Sequence, residues 1–421
     1  MIGEFQMSKI AVLGFGVVGS GTVEVFYNNK EGICKKSGKD LDIKYILDLR
    51  DFPDSPFSNK LTKDFNDILN DDEVDIIAEC MGGTNPAYQF TKSLLQKGKS
   101  VVTSNKELVA TKGVELLAIA KANNCNYMFE ASVGGGIPII RPLHQCLAAN
   151  NITQIAGILN GTTNFILTKM IKEQMNFYDA LALAQKLGYA EKDPTADIEG
   201  HDACRKICIL ASLAYGKHVY PERVHTSGIS RITIEDVEYA ESCGCSIKLI
   251  GSVKQLDNNK ILPIVRAAFI DKSCPIASVD DVYNAILVKG DAVGDVMFYG
   301  AGAGKMPTAS AVVADIIDVA KAERTSISQI WETSEDYSFI QSYKLAETAM
   351  YIRLRSDDLL HIKEKVNALF GEVKILYKKK VSDNEMAFIT TVMVEKEIDH
   401  CINELELCGA NVIGKIRILD I

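Results

Sequence analysis

The run Lys9-Ile10-Ala11-Val12-Leu13 stops at Gly14-Phe15-Gly16-Val17-Val18-Gly19, and helical spacing continues through Val23, Val25 and Phe26. An apolar strand, a glycine turn and a helix in immediate succession restrict the fold more than any other feature of the chain. The first glycine permits the tight turn, the second lets main chain approach a pyrophosphate, and the third allows close packing of the helix. The helix N-terminus offers N–H groups to an anion. A glycine fingerprint alone is weak, but between a first strand and a helix it predicts a Rossmann-type dinucleotide-binding domain. Gly14, Phe15, Gly16, Val17, Val18 and Gly19 are then the cofactor-binding residues.

Ile43-Lys44-Tyr45-Ile46-Leu47 reads as the second strand, with Asp48-Leu49-Arg50-Asp51 at its exit, where the ribose would lie. An acid there suits the free 2′-hydroxyl of NAD, and an arginine suits the 2′-phosphate of NADP. On a continued strand Asp48 and Arg50 point to one side, so the residues leave NAD and NADP both open. Asp75 to Gly83 and Ser100 to Lys106 each read as a buried strand running into a polar loop, the ligand-binding end of such sheets. Lys106 therefore stands where nicotinamide and substrate meet, against the plain alternative of a solvated loop lysine.

A chain of 421 residues with 47% hydrophobic content can bury more than one core, which predicts two or three domains. A net charge of −9 without a basic stripe argues against a nucleic-acid partner. No apolar run reaches the length of a membrane span and no signal peptide is visible, so a soluble, cytoplasmic protein without a membrane partner is expected. Eleven scattered cysteines, an odd count, suit a reducing compartment. Cys243-Gly-Cys245 lacks further ligands at zinc-like spacing and reads as a pair of buried or half-buried thiols. The opening Met1-Ile2-Gly3-Glu4-Phe5-Gln6 precedes a second start at Met7 and is expected to stand outside the fold.

Residues 184–206 narrow the chemistry. Gly188 ends a helical stretch and can turn Glu191 inward, and Asp193-Pro194 reads as a turn. Asp197 or Thr195 can cap the next helix, so that Asp202 and Lys206 fall at i and i+4 on one helix face. In isolation this could be an ordinary surface ion pair, contributing about 0.3 to 0.5 kcal/mol. The whole run, however, Ala184-x3-Gly188-Tyr189-Ala190-x2-Asp193-Pro194-x2-Asp197-Ile198-x-Gly200-x-Asp202-x3-Lys206, resembles the homoserine dehydrogenase signature at every fixed position. The resemblance continues through most of residues 8–330.

That resemblance implies reversible NAD(P)H-dependent reduction of L-aspartate 4-semialdehyde to L-homoserine, in threonine, methionine and isoleucine biosynthesis. An aldehyde accepts hydride at carbon only if its oxygen is polarised and then protonated, and a charged amine can do both. Lys206 and Lys106 are the catalytic candidates, with Asp202 orienting Lys206 as its i−4 neighbour. Ser104-Asn105-Lys106-Glu107-Leu108-Val109-Ala110 resembles the family's loop that carries a catalytic lysine. Glu191, Gly188, Asp202 and Thr162 are the substrate-binding candidates, and Asp197 reads as a cap or supporting acid. At the ribose, the family's usual arginine favours NADP through Arg50.

The loop Glu130-Ala131-Ser132-Val133-Gly134-Gly135-Gly136-Ile137-Pro138 forbids regular structure, and by itself it is either a hinge or a site for a hard cation. The matching loop of the family binds a monovalent cation through main-chain oxygens, which implicates Glu130, Val133, Gly135 and Ile137, with sodium the expected ion. Asn160-Gly161 makes a turn before a helix that Thr162 or Thr163 can cap, and this run matches the family's substrate-side loop. Further along, Ile261 to Ala267 alternates poorly and Ala285 to Val288 is a short strand, in a mixed α/β region whose sheet could extend across a homodimer or homotetramer interface. Phe298-Tyr299-Gly300-Ala301-Gly302-Ala303-Gly304 opens a further helix; many family members have proline where Ala301 stands, and Gly302 is a cofactor contact by resemblance.

From about residue 345 the order is βαββαβ, a ferredoxin-like sandwich. It resembles, in topology and position, the amino-acid-binding ACT module found after the catalytic region of many homoserine dehydrogenases, which implies a threonine site. Ser356-Asp357-Asp358-Leu359-Leu360 replaces the usual glycine-containing turn, and a purely dimer-forming module is the alternative. The expected division is thus a dinucleotide-binding domain over 7–137, revisited at about 300–325, a substrate-binding and dimerisation domain over 138–300, and an ACT-like domain over 345–421. Trp331 and the adjoining Glu-Thr-Ser-Glu-Asp run read as a packing anchor and a linker. The rival functions are a thioester-forming semialdehyde dehydrogenase, for which Cys80 lacks a nearby histidine, and a catalytically silent sensor, against which Glu191, Asp202 and Lys206 stand.

Overall fold

The computed structural model describes residues 7–322, 331–333, 337–378 and 383–419. Residues 1–6 and residues 334–336 of the expected linker lie outside them. The chain forms two compact units, Met1–Asn151 with Cys208–Pro221 and Phe298–Glu335, and Ile152–Ile207 with Glu222–Met297 and Asp336–Ile421.

The first unit is built on strands β1 (Met7–Leu13), β2 (Asp40–Leu47), β3 (Leu61–Thr62), β4 (Val74–Glu79), β5 (Ser100–Thr103) and β6 (Tyr127–Met128), in the order β3-β2-β1-β4-β5-β6. Every pairing is parallel. That order is the doubly wound arrangement whose ligands lie at the carboxyl ends of the strands. Ile10, Val12, Ile43, Ile76 and Val102 meet Val23 and Phe26 of the helix Val17–Asn28 and Val312, Ile316 and Val319 of the helix Lys305–Lys321 in one core. Helices on the sheet faces explain why these strands read as continuous apolar runs. Trp331 is buried, edge-on to Phe129 at 5.4 Å, as a packing anchor.

The second unit carries strands β7 (Ile152–Ile158), β8 (His225–Thr226), β9 (Cys245–Gln255), β10 (Ile261–Asp271), β11 (Tyr283–Gly290), the first half of β12 (Gly294–Ala301), β13 (Glu347–Thr348), β14 (Met350–Arg355), β15 (Lys374–Leu376), β16 (Glu385–Ile389), β17 (Met393–Val394) and β18 (Asn411–Ile418). Its main sheet runs β12-β11-β7-β9-β10-β18-β14-β16-β15, with β8 beside β10. The poor alternation at Ile261 to Ala267 has a simple cause: β10 is a full central strand whose residues are buried on both faces.

Within the C-terminal segment β18, β14, β16 and β15 pair antiparallel in that order, with the helices Leu359–Phe370 and Glu395–Leu407 supplying apolar side chains to their own core. This is the βαββαβ order read from the sequence. After β16 ends at Ile389 the chain breaks, and the short β17 pairs with β13 rather than continuing the sheet. The segment does not stand apart: β18 joins β10 in parallel, Ala268 opposite Arg417. Among the described residues no helix is long and apolar enough to cross a membrane.

Candidate active site

In the second unit β7 delivers the chain to Asn160, whose extended backbone, φ −132° and ψ 118°, lets its side chain accept the Thr163 N–H at 2.8 Å. Asn160, rather than Thr162 or Thr163, therefore caps the helix Gly161–Glu173. The Thr162 hydroxyl is engaged elsewhere, donating to the Tyr189 carbonyl at 2.7 Å. It holds the turn made by Gly188, whose φ of +77° ends the helix Phe177–Lys186 as the sequence predicts.

The helix His201–Tyr215 opens after Gly200, and its first turns lie against β9. A Cβ on Gly251 would stand 2.8 Å from Leu159 and 3.4 Å from Ile207, so the glycine is what allows this approach. Asp202 and Lys206 thus face inward, 4% and 6% exposed. Lys206 Nζ donates to Asp202 Oδ2 at 2.7 Å and to the Leu159 carbonyl at 2.7 Å. The i, i+4 spacing was legible, but burial is what separates this pair from a surface ion pair. Removing one member of such a pair leaves an uncompensated buried charge and costs about 3 to 5 kcal/mol, where an exposed pair contributes about 0 to 1.

The third polar group joined to the pair is not the one expected. Glu191 is exposed, and its carbonyl accepts from Gln185 Nε2 at 3.1 Å. Asn160 takes the place instead, its Nδ2 donating to Asp202 Oδ2 at 2.9 Å and to Asp197 Oδ1 at 2.7 Å. Neither Asp197 nor Thr195 caps the helix that carries the pair: both lie in a separate short helix, Thr195–Ile198, ahead of which Asp193 accepts from the Thr195 N–H at 3.1 Å and its hydroxyl at 2.6 Å. An Asp-Pro turn offers that acceptor locally, and the half-buried Asp197 carboxylate accepts from Asn160 instead.

In the first unit Gly14 has φ +89°, and a Cβ on Gly19 would fall 1.8 Å from the Gly14 carbonyl oxygen, so only glycine closes this turn. Gly16 is the N-cap of the helix Val17–Asn28 and Val17 is exposed, which leaves the helix start open to an anion. Phe15 donates its N–H to Asp48 Oδ2 at 2.8 Å, and Arg50 is ion-paired to Asp48 while stacking over Phe52 at 5.1 Å. A Cβ on Gly16 would be 4.0 Å from Arg50 Nη2, so this guanidinium sits beside the phosphate turn.

Lys106 is the first residue of the helix Lys106–Ala122, capped by Asn105, whose side chain accepts the Leu108 N–H at 3.1 Å. Beneath it lies Glu79, fully buried at the end of β4 and unmarked by any sequence motif. Its carboxylate accepts from Thr103 Oγ1 at 2.5 Å and from the Met81 N–H at 2.8 Å, and burial pushes its pKa up to about 7. Thr103 Oγ1 in turn accepts the Asn105 N–H at 2.9 Å, so Glu79 reaches the loop before Lys106 through a single hydroxyl.

The loop after β6 is buried from Glu130 to Gly135, with φ of +74° at Gly134 and +54° at Gly135. Glu130 accepts three main-chain N–H groups with its carboxylate, from Ile139, Ile140 and Arg141 at 2.7 to 2.9 Å. Its own N–H goes to Asp315 at 2.9 Å. Among the described residues no hydrogen bond reaches the carbonyl oxygens of Val133, Gly135 or Ile137. Buried unpaired carbonyls are what a hard cation needs, so these residues fit the expected ion. Gly302 is buried against this loop, its oxygen 2.6 Å from where a Cβ on Gly135 would lie.

Two family models match the chain. Residues 138–317 match the family model described as homoserine dehydrogenase, and residues 14–130 match its NAD-binding domain. The chain is 40% identical over 375 residues to a homoserine dehydrogenase of Bacillus subtilis, covering 88% of this chain and 86% of that one. Among solved structures, a homoserine dehydrogenase from Thiobacillus denitrificans superposes with TM-score 0.89 at 38% identity, over 99% of both chains. A hyperthermophilic archaeal homoserine dehydrogenase in complex with NADPH superposes with TM-score 0.64 at 29% identity, over 75% of this chain and 98% of that one.

Proposed function

This chain belongs to the homoserine dehydrogenase family, and on that premise we propose that the buried Asp202–Lys206 pair is where the substrate carbonyl is polarised and protonated. The reaction is the reversible NAD(P)H-dependent interconversion of L-aspartate 4-semialdehyde and L-homoserine. Bound reduced nicotinamide supplies the hydride to the aldehyde carbon. A lysine ammonium bonded to the aldehyde oxygen withdraws charge from it and delivers the proton that makes the alcohol; in the reverse direction the neutral amine takes that proton back. Asp202 and the Leu159 carbonyl fix the direction of Lys206 Nζ, and this double anchoring of a buried amine is the observation that carries the assignment. Lys106 is the second catalytic candidate. Glu191, Asp202, Gly188 and Thr162 are assigned to the substrate, with the exposed Glu191 carboxylate suited to its ammonium group.

For the cofactor we favour NADP, held by the turn Gly14 to Gly19 with Gly302 as a further contact and Arg50 on the 2′-phosphate. The support is that Asp48 already accepts the Phe15 N–H and the Arg50 guanidinium, so the acid is committed to the protein. Sodium is assigned to the carbonyls of Glu130, Val133, Gly135 and Ile137. We read 7–137 with the return at 300–325 as the dinucleotide domain, 138–300 as the substrate and dimerisation domain, and 345–421 as an ACT-like module with threonine as its candidate ligand. A homodimer or homotetramer in the cytoplasm completes the reading; eleven scattered cysteines, an odd count, suit a reducing compartment. The test is homoserine-dependent reduction of NADP and of NAD by the wild type and by Lys206→Ala. Turnover in the wild type lost in the variant supports the assignment, and full turnover in the variant refutes it.

A further inference from the structure

We infer that Asn160 is a positioning residue that holds the two acids of the site, Asp202 and Asp197, in fixed places around Lys206. The inference rests on the reading of Asp202 and Lys206 as the acting pair.

Asn160 is 5% exposed, and every hydrogen-bonding position of its amide is engaged. Nδ2 donates to Asp202 Oδ2 at 2.9 Å and Asp197 Oδ1 at 2.7 Å, and Oδ1 accepts the Thr163 N–H at 2.8 Å and the Thr163 hydroxyl at 3.0 Å. Only one orientation of the amide works, since a flip would aim its oxygen at two carboxylates and its NH2 at an N–H. The side chain is therefore a fixed fork of two donors with its back anchored on a helix N-terminus. Its other side-chain partners are charged: Asp197 from the helix Thr195–Ile198, and Asp202, which also accepts from Lys206 on the helix His201–Tyr215.

Two carboxylates converging on one point repel each other, and one of them tends to rotate away or take up a proton. An amide N–H on each removes that pressure without adding charge, and it leaves the lysine to act on one defined oxygen, Asp202 Oδ2. The capping bond alone would require only an acceptor, and aspartate or serine supplies that as well as asparagine. The donating half is what asparagine adds.

That difference makes the test. Asn160→Asp keeps the cap on Thr163 and replaces the two donors with a third acid. Asn160→Ser keeps the cap and is too short to reach both carboxylates. Each is compared with the wild type by thermal melting, by NADP affinity, and by kcat and KM for homoserine oxidation. The expected result is a melting temperature and NADP affinity close to wild type with kcat lowered by about tenfold or more in both variants. In Asn160→Asp the deficit relative to wild type should narrow between about pH 8 and about pH 6, as the new acid takes up a proton and can donate again. Wild-type kcat and KM in Asn160→Asp would overturn the inference, as would a deficit that does not change with pH. Should Asn160→Asp not fold, kcat of Asn160→Ser decides alone. If Lys206→Ala is also fully active, the reading of the pair has failed; if it is inactive and the Asn160 variants are normal, only the present inference has.

Discussion

Arg50 grips Asp48 through Nε at 3.0 Å and Nη2 at 2.8 Å, while the same carboxylate accepts the Phe15 N–H at 2.8 Å. The guanidinium beside it, ahead of the opposing effect of burial, holds the Asp48 carboxyl well below the usual carboxylate range. An acid and an arginine at the end of β2 are thus partners in one assembly, with the glycine turn on one side and an exposed cation on the other.

Replacing Arg50 by alanine should raise the KM for NADP by about tenfold or more, since a phosphate loses its charge-assisted hydrogen bonds. The KM for NAD should move little. Initial rates with both cofactors at saturating homoserine measure this, and an equal change for both would remove Arg50 from the ribose end.

Lys206→Ala should lower kcat by about 10²- to 10⁴-fold, the usual contribution of a positioned acid or base. NADP affinity, measured by fluorescence titration, should persist. Asp202 is left buried without its cation, so the melting temperature should also fall.

Glu79 makes stability depend on pH in a defined direction. Its pKa is raised by burial from an ordinary value of 4.5 to about 7, so the folded state holds its proton more tightly than the unfolded chain does. Its contribution is fully present below about pH 4.5 and is lost as pH rises through about 7. Glu79→Gln should flatten that part of the curve in denaturant titrations; an unchanged slope would show that Glu79 does not titrate there.

Trp331 Nε1 donates to His218 Nδ1 at 2.9 Å, and the other ring nitrogen of His218 lies 2.8 Å from the Ala110 carbonyl. The buried imidazole therefore carries its proton on Nε2. Trp331→Phe should cost about 1 to 3 kcal/mol through the unsatisfied nitrogen, read as an earlier denaturant midpoint with homoserine turnover retained at low temperature. A midpoint equal to wild type would mean that the bond is replaceable.

The cation assignment predicts that sodium chloride raises the melting temperature above that in an equal concentration of tetramethylammonium chloride. Gly135→Ala should abolish that difference, because a Cβ there falls 2.6 Å from the Gly302 oxygen at a φ of +54°. Equal melting in the two salts would leave the carbonyl cage without an ion.

Much of this molecule was legible one residue at a time. The glycine turn at Gly14 to Gly19 could be placed because each glycine answers a local steric demand, and the i, i+4 spacing of Asp202 and Lys206 because helix geometry is periodic. Asn160 was read only as half of a turn, since its neighbours in sequence explain it adequately; its carboxylate partners stand 37 and 42 residues away. Glu79 carried no signal at all, its hydroxyl partner lying 24 residues on. Glu191 is exposed rather than turned inward for the same reason, because a loop residue's direction depends on contacts that no local pattern contains.

The strand-turn-helix that opens the chain, the family, and the lysine and acid that share one helix face were all readable from the order of residues, because local sterics and periodicity suffice for them. Folding settled the rest: that the pair is buried, that Asn160 rather than Glu191 joins it, and that Asp48 serves the glycine turn. Burial and hydrogen-bond partnership are properties of segments brought together from far apart in the chain, and the free energy of an ion pair depends more on that surrounding medium than on the identity of its two residues.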